Sequence, residues 1–280
     1  MKVTIYTPES SVRSPRKLVR AMFQDVIQSR ELAMELAIRD IKAQYRQTFL
    51  GILWAFLLPL ANTIIWIFLQ GTGIVNVGKT SIPYPVFVFT GTLLYSIFMD
   101  SVQMPITLVT ASKSILAKVN FPSEAIIMSG LYQILFNAGI KVILIIGALL
   151  IMGIYPGWSI LFFPVAIISL ILAGTTIGLF LTPMGLLYTD VGKAIPIVMQ
   201  IFMFITPVVF PIPSTGLAAT VFNCNPITPI MMTSRHLLIG HHASYINGFI
   251  IVNLSMLVIL FFVWVIFRIA KPIITERIGS

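Results

Sequence analysis

Two charged residues inside long apolar runs are the first candidates for chemistry. Asp100 interrupts the run 86–108, and Lys141 lies within the run 125–152. A bare charge is expensive inside a bilayer, so such residues usually pair or face a polar path. At about 1.5 Å per helical residue, Asp100 lies about 22 Å and Lys141 about 18 Å from the outer ends of their runs. The two side chains could therefore meet.

Three alternatives for this pair stay open from the sequence. The first is a buried ion pair that joins the two spans. In the second, Lys141 faces a conduit and contacts passing anionic groups. In the third, Asp100 lies in wet surroundings of the inner leaflet and Lys141 faces a neighbouring carbonyl.

Aromatic residues accompany the two charges and suggest a carbohydrate path. Sugar rings stack on aromatic faces, although membrane aromatics more often serve packing or interface anchoring. The polar neighbours Gln133 and Asn137 strengthen the case for a path near Lys141. The conduit candidates are Tyr95, Phe98, Asp100, Tyr132, Phe136 and Lys141.

Catalytic and nucleotide-binding patterns are weak in this chain. Residues 73–80 match the P-loop letters GxxxxGK(S/T), but a P-loop needs a buried strand before it and a helix directly after it. Here an apolar helix precedes the match, and Pro83 and Pro85 follow. His236, His241 and His242 have no carboxylate or cysteine nearby to complete a metal site. We expect a transport protein rather than an enzyme, with no cofactor or metal in this chain.

Composition indicates an integral membrane protein. Of 280 residues, 58% are hydrophobic and only 10% are charged, which is too little polar surface for a soluble globule of this size. A net charge of +9 could suggest a nucleic-acid partner. However, nine of the 18 Lys and Arg residues precede Leu50, and the others lie mainly in short loops. This is the pattern of membrane orientation, so we expect a membrane protein and no nucleic acid.

Six apolar runs predict an all-α fold with six transmembrane helices. A bilayer core about 30 Å thick requires about 20 residues per helix, which the runs 50–69, 86–108, 125–152, 158–187, 194–210 and 246–267 broadly supply. Residues 268–280 form a short tail. With this arrangement 15 basic residues lie inside, against Lys79 and Arg235 outside, which predicts that both termini are cytoplasmic.

The segment 1–49 is predicted to be a loose cytoplasmic arm followed by an amphipathic helix. Apolar residues recur every three or four positions from Met34 to Phe49, beside a charged stripe. Such a helix lies along the membrane surface, with its cations available to lipid phosphate or to a partner protein. A soluble helix packed on its own domain is the alternative. The residues singled out in this interface helix are Arg39, Asp40, Lys42, Tyr45 and Arg46.

Five segments spread over residues 31–267 resemble one known family, the type-2 ABC transporter permeases that export polysaccharides. Thr189 stands where that family commonly has arginine, so an ion-pairing role does not carry over to this position. The segments are Arg39-Asp40-Ile41-Lys42 with Tyr45-Arg46-Gln47-Thr48, Leu50-Gly51, Leu53-Trp54 and Pro59; Leu116-Ala117-Lys118-Val119-Asn120-Phe121-Pro122-Ser123-Glu124; Thr189-Asp190-Val191 with Pro196; Thr206-Pro207-Val208; and Asn225-Pro226 with Arg235.

The resemblance implies a role and a set of partners. Such permeases form homodimers in the bacterial cytoplasmic (inner) membrane and dock two separate ABC ATPase subunits, which bind ATP and Mg. They export lipid-linked glycans of the O-antigen, capsule or teichoic acid type. An outer re-entrant segment is implied between residues 211 and 245. An efflux permease for a drug or small lipid is the alternative within this fold. A glycolipid enzyme would require paired carboxylates, and Asp100 and Asp190 are too isolated for that.

The resemblance also assigns the loop 110–124 to coupling. Its apolar side chains would insert into a cleft of the ATPase and transmit closure of that cleft to the spans. A solvated connector is the alternative, but it would not need four large apolar side chains. The coupling residues are Ile115, Leu116, Lys118, Val119, Phe121 and Glu124.

Overall fold

The computed structural model describes residues 15–46, 49–75, 77–78, 80, 82–112, 123–240 and 244–279. Within these ranges all the regular structure is helical, which confirms the predicted all-α class. Short 3-10 turns at Gly51–Leu53 and Trp158–Phe162 precede two of the helices. The helices are α1 (Pro15–Gln28), α2 (Arg30–Arg46), α3 (Trp54–Gly71), α4 (Tyr84–Ala111), α5 (Ser123–Ile151), α6 (Phe163–Leu187), α7 (Thr189–Phe204), α8 (Gly216–Cys224), α9 (Ile227–Ile239) and α10 (Ile246–Gly279).

Four of the six predicted spans correspond to helices that are long and apolar enough to cross a bilayer. These are Tyr84–Ala111, Glu124–Ile151, Trp158–Leu187 and Ile246–Ala270 among the described residues. The run 50–69 corresponds to a shorter apolar helix, Phe56–Gly71. The run 194–210 falls on α7, which has only 16 residues. The chain is therefore a multi-pass membrane protein, and spanning by α3 and α7 stays a prediction.

Helix α4 lies at the centre of the bundle. It packs against α3, α5, α6, α7 and α9. In its most apolar window 78% of the residues are buried, compared with 56% or less in the other three candidate spans. It is also the least apolar of the four. The most polar span is thus the one that the other helices shield most from lipid.

Two glycines allow α6 to approach α4 closely. A Cβ atom added at Gly174 would lie 2.5 Å from the Cβ of Ser101, and one at Gly178 would lie 2.3 Å from the carbonyl oxygen of Val102. Small residues on one helix face permit such backbone contact between membrane helices. In the structure, Gly174 and Gly178 serve helix packing within the chain.

One end of the bundle, which we call the charged end, is defined by Asp25, Glu124 and Arg268. Part of the segment expected to be a loose arm forms α1, and Pro15 occupies the start of this helix, where proline is favoured. The ring of Phe23 meets Trp264 edge-on at 5.5 Å, so α1 packs against α10. Helix α10 also continues to Gly279, past the predicted end of the last span.

The opposite end, which we call the far end, is defined by Asn225 and Arg235. Arg235 is only 2% exposed. Its guanidinium donates to the carbonyl oxygens of Pro207, Val208 (2.6 Å) and Phe87 (3.1 Å) and lies 3.7 Å from the centre of the Phe87 ring. These contacts join α9 both to α4 and to the turn that follows α7.

Asn225 completes the far end at the start of α9. Its side-chain amide donates to the carbonyl oxygen of Ile205 at 2.9 Å and to the hydroxyl of Thr206 at 2.8 Å. Its side-chain carbonyl accepts the backbone N–H of Ile227 at 2.9 Å. One amide therefore caps α9 and holds it to the end of α7.

The far end leaves no room for a side chain at Gly91 of α4. A Cβ atom there would lie 2.1 Å from Nη2 of Arg235 and 2.2 Å from the carbonyl oxygen of Val208. We expect Gly91→Ala to destabilise the purified protein by about 1–3 kcal/mol, measured by thermal unfolding in detergent. The matched control is Gly147→Ala on α5, where an added Cβ meets nothing within 4 Å. Equal unfolding temperatures for the two variants would contradict the tight contact.

Candidate functional site

An ion pair inside the membrane region links α4 to α5. The Nζ atom of Lys141 lies 2.6 Å from Oδ2 of Asp100. At about 1.5 Å per residue, the pair lies about 24 Å along α4 from Tyr84 and about 15 Å along α5 from Ile151. Both estimates fall within a bilayer core about 30 Å thick. The sequence left three alternatives open for Asp100 and Lys141, and the structure shows the first of them, the ion pair.

Lys141 belongs to a row of polar side chains on α5. Gln133, Asn137 and Lys141 are spaced by four residues and therefore share one helix face. The side-chain amide of Gln133 donates to Oδ2 of Asp40, and the hydroxyl of Tyr45 donates to Oδ1 of Asn137, both at 3.2 Å. We call the row Gln133, Asn137 and Lys141 the polar seam. It joins two sets of residues that the sequence treated separately, the interface helix and the conduit candidates.

The seam holds α2 alongside α5. Ala33 and Ala37 are buried, and their small side chains permit close approach. Burial raises the pKa of the Tyr45 phenol, so this residue stays a neutral donor at physiological pH. Arg39 pairs with Asp40 at 2.7 Å. On the open side of α2, Arg39, Lys42 and Arg46 line a shallow surface pocket.

The four aromatic conduit candidates separate into two groups. Tyr95 and Phe98 are buried, and the hydroxyl of Tyr95 donates to the carbonyl oxygen of Met199. The ring of Phe98 lies 5.8 Å from Tyr95 and 6.3 Å from Phe202, so these residues form a packed aromatic cluster. On α5, Tyr132 is half-buried and Phe136 is exposed.

Of the predicted coupling residues, the structure describes Glu124. Its side chain is 7% exposed and accepts a hydrogen bond from Arg268 at 2.7 Å. Arg268 also pairs with Asp25 at 2.5 Å. This three-residue network ties the start of α5 to α1 and α10. Ile115, Leu116, Lys118, Val119 and Phe121 lie outside the described residues.

Sequence reasoning missed two members of this network. Asp25 was placed in an arm without structure, and Arg268 was counted only as a basic residue of the tail. A signal was present, because Leu18 and Met22, four residues apart after Pro15, are the residues that α1 buries. That spacing would have predicted a helix with a packing partner.

The patterns set aside from the sequence receive no support from the described structure. In the P-loop letter match, Asn76 and Lys79 lie outside the described residues, and the next helix begins only at Tyr84. Of the outer histidines, His241 and His242 also lie outside. Among the described residues, no group of three or more His, Cys, Asp or Glu side chains could hold a metal ion.

Comparison with known proteins decides the family. The family model described as ABC-2 type transporter matches residues 31–239, which is more than half of the chain. The chain belongs to the ABC-2 type transporter family. The resemblance seen in the sequence is thereby confirmed, as is the expectation of a transport component rather than an enzyme.

Three relatives illustrate the similarity of this ABC-2 type transporter chain to named proteins. It is 26% identical over 229 residues to the O-antigen export system permease protein RfbA of Myxococcus xanthus, covering 80% of this chain and 85% of that protein. It is 22% identical to RfbA of Klebsiella pneumoniae, covering 79% and 88%. It is 24% identical to the polysialic acid transport protein KpsM of Escherichia coli, covering 64% and 69%.

The ion pair of this transporter can be tested by removing each charge alone and both together. We expect Asp100→Asn and Lys141→Met each to lower the yield of folded protein, because each leaves an unpaired charge within the membrane. The double variant should recover most of the loss. The measurement is the amount of monodisperse protein after extraction, by fluorescence-detected size-exclusion chromatography. A double variant no better than the worse single variant would argue against pairing.

Proposed function

We propose that this chain is the membrane permease subunit of an ATP-driven exporter of lipid-linked polysaccharide. The observation that carries the proposal is the similarity to O-antigen export permeases over about four fifths of the chain. It favours a glycan of the O-antigen or capsule type over a drug or small lipid. An ion-paired polar seam inside the membrane suits a protein that moves a hydrophilic cargo.

The topology that we propose has six spans, with α3 and α7 as the two additional crossings. The charged end faces the cytoplasm, both termini are cytoplasmic, and the protein resides in the inner membrane. Helices α8 and α9 form a segment that enters and leaves the membrane from the outer face. The buried position of Arg235 supports this re-entrant arrangement, because irregular backbone at membrane depth must be enclosed by protein.

The partners that we propose are a second copy of this chain and two ABC ATPase subunits, which hold the ATP and Mg. The loop 110–124 docks into the ATPase. The supporting observation is the network of Glu124, Arg268 and Asp25 at the end of this loop. Displacement of the loop would be passed through Glu124 to α5, and through Arg268 to α10 and α1.

The interface helix contributes to the same end of the molecule. Arg39, Lys42 and Arg46 contact lipid phosphate at the membrane surface, while Asp40 and Tyr45 hold the helix to α5. A substrate whose lipid anchor lies in the inner leaflet would meet this helix first. The polar seam then leads from the helix to the ion pair.

The function is tested by deleting the gene in its host and analysing glycans. We expect the lipid-linked glycan to accumulate on the cytoplasmic side and the surface glycan to disappear, since no route across the membrane remains. Complementation with the wild-type gene should restore surface glycan, which excludes effects on neighbouring genes. Surface glycan that is unaltered in the deletion strain would refute the proposal.

The coupling role is tested separately at Phe121. We expect Phe121→Asp to abolish co-purification of the ATPase and export, because a carboxylate cannot enter an apolar cleft without a partner. Phe121→Leu is the matched control, since it keeps an apolar side chain of similar size. Normal export by Phe121→Asp would show that the loop is a connector only.

A further inference from the structure

Helix α4 carries a row of polar side chains on one face of its half near the charged end. The spacing of four, three, four and three residues places all members of the row on one side of a helix. Each is exposed or half-buried in the described structure. We call this row the polar face of α4; its members are Ser96, Asp100, Gln103, Thr107 and Thr110.

Lipid is a poor covering for this face. The side chain of Asp100 remains 42% exposed even though it is paired with Lys141. A carboxylate that faced hydrocarbon would lose its hydration without compensation, so charged residues at such depth face protein or water. The exposed edge of Asp100 therefore marks the side of α4 that lipid does not reach.

The half of the neighbouring helix α3 that precedes Thr63 packs only loosely in the described structure. Over residues 54–62, none of the described side chains is buried. Thr63 is the first buried residue, and from there α3 borders an apolar cavity of about 520 Å³ together with Pro85 and Phe89 of α4. Helices α3, α4 and α5 thus surround an apolar cavity in one half, whereas in the other half α3 buries none of its described side chains.

On the side of the far end, the same face of α4 continues with Thr92 and Phe89, which are only 8% and 6% exposed. Tyr95 and Phe98, which flank Ser96 in sequence, are buried, and Tyr95 is hydrogen-bonded to the backbone of α7 at Met199. The exposed part of the polar face of α4 therefore ends at Ser96. On this face of α4, exposure therefore increases from buried Thr92, through half-buried Ser96, to exposed Thr107 and Thr110 at the charged end.

We propose that the polar face of α4 is the wall of a water-filled vestibule that receives the sugar hydroxyls of the substrate. The sugar part of this inference rests on the proposed export function. The lining is formally neutral, because the charges of Asp100 and Lys141 cancel and the other members of the row are hydroxyls and an amide. Such a surface suits an uncharged polyol better than a free anion.

Water is a better covering for the polar face of α4 than a second copy of the chain would be. The hydroxyls of Ser96 and Thr107 already donate to the carbonyl oxygens of Leu93 (2.8 Å) and Gln103 (3.0 Å) in their own helix. Their hydroxyl hydrogens therefore need no acceptor across an interface. A two-fold contact at this face would also bring the Asp100 carboxylates of both copies together.

Cysteine labelling tests whether the vestibule is hydrated. Cys224 is the chain's single cysteine, so Cys224→Ser gives a background without thiols. Ser96→Cys, Gln103→Cys and Thr107→Cys are then introduced singly and treated with a charged maleimide in lipid nanodiscs. Thiolates react only where water reaches them. We expect the rates to fall from Thr107 to Ser96, as depth from the charged end increases.

The control for depth is Val258→Cys on α10. Val258 is 57% exposed and lies as many residues from the start of α10 as Ser96 lies from the start of α4. We expect Ser96→Cys to react about tenfold faster or more than this control, because only the former meets water. Equal rates would overturn the vestibule. A disulfide formed between two Ser96→Cys chains would also overturn it, in favour of a contact between copies.

Export by the double variant Gln103→Leu with Thr107→Val tests the sugar contact. Surface glycan should fall roughly fivefold or more, with unchanged amounts of protein, because two hydrogen-bonding groups are lost from the wall. Ser255→Val on α10 is the control outside the vestibule. Unchanged export in the double variant would overturn the sugar contact. Labelling needs neither ATPase nor glycan, so a failure of the proposed export function is distinguished from a failure of the vestibule.

Discussion

The buried guanidinium of Arg235 imposes the strictest condition on this fold. At 2% exposure it has lost its hydration, and its partners are carbonyl oxygens rather than carboxylates. Two of these acceptors, the carbonyl oxygens of Pro207 and Val208, lie in the turn after α7, where the backbone is not paired as in a regular helix. Pro207 supplies this break in pairing, because it has no N–H and its ring ends helical pairing after α7.

The contacts of Arg235 also constrain α4, the central helix. Its guanidinium reaches across to the carbonyl oxygen and ring of Phe87, and the space that it occupies excludes a side chain at Gly91. Three separate parts of the chain are therefore joined by one side chain: α4, the turn after α7, and α9. Asn225 adds a second tie to the same turn. These contacts oppose relative movement of the three parts, so we expect the far end to move as one unit.

The lengths of the hydrophobic runs predicted which parts of the chain form long membrane helices. Four spans were found because an apolar run of 20 or more residues leaves few alternatives to a membrane helix. Counting residues along two runs also brought Asp100 and Lys141 to similar depth, which is why their pairing could be considered at all. The choice between pairing and a conduit contact needed the rotation of each helix about its axis, and run length carries no information on rotation.

Other features of the structure could not be predicted from the sequence, and the reason can be given for each. Tyr95 and Phe98 were placed in the same class as Tyr132 and Phe136, because composition alone does not distinguish a lining ring from a packed one. The contacts of Arg235 could not be predicted, since its acceptors are backbone carbonyl groups, which every residue carries and which the side-chain pattern of a sequence does not distinguish. The polar face of α4 was readable in principle from its spacing, but the apolar residues between its members concealed it within a span.

The distribution of contacts decides where this molecule can change shape. The far end is fixed by short hydrogen bonds to backbone and by a glycine that cannot be enlarged. The charged end is held by side chains instead, chiefly Arg268 shared between two carboxylates and the seam between α2 and α5. The pair of Arg268 with Asp25 is partly exposed, and exposed ion pairs are individually weak, so it exchanges partners more readily than the buried backbone contacts of the far end. We therefore expect any opening of this bundle to begin at the charged end, where the loop 110–124 joins α4 to α5.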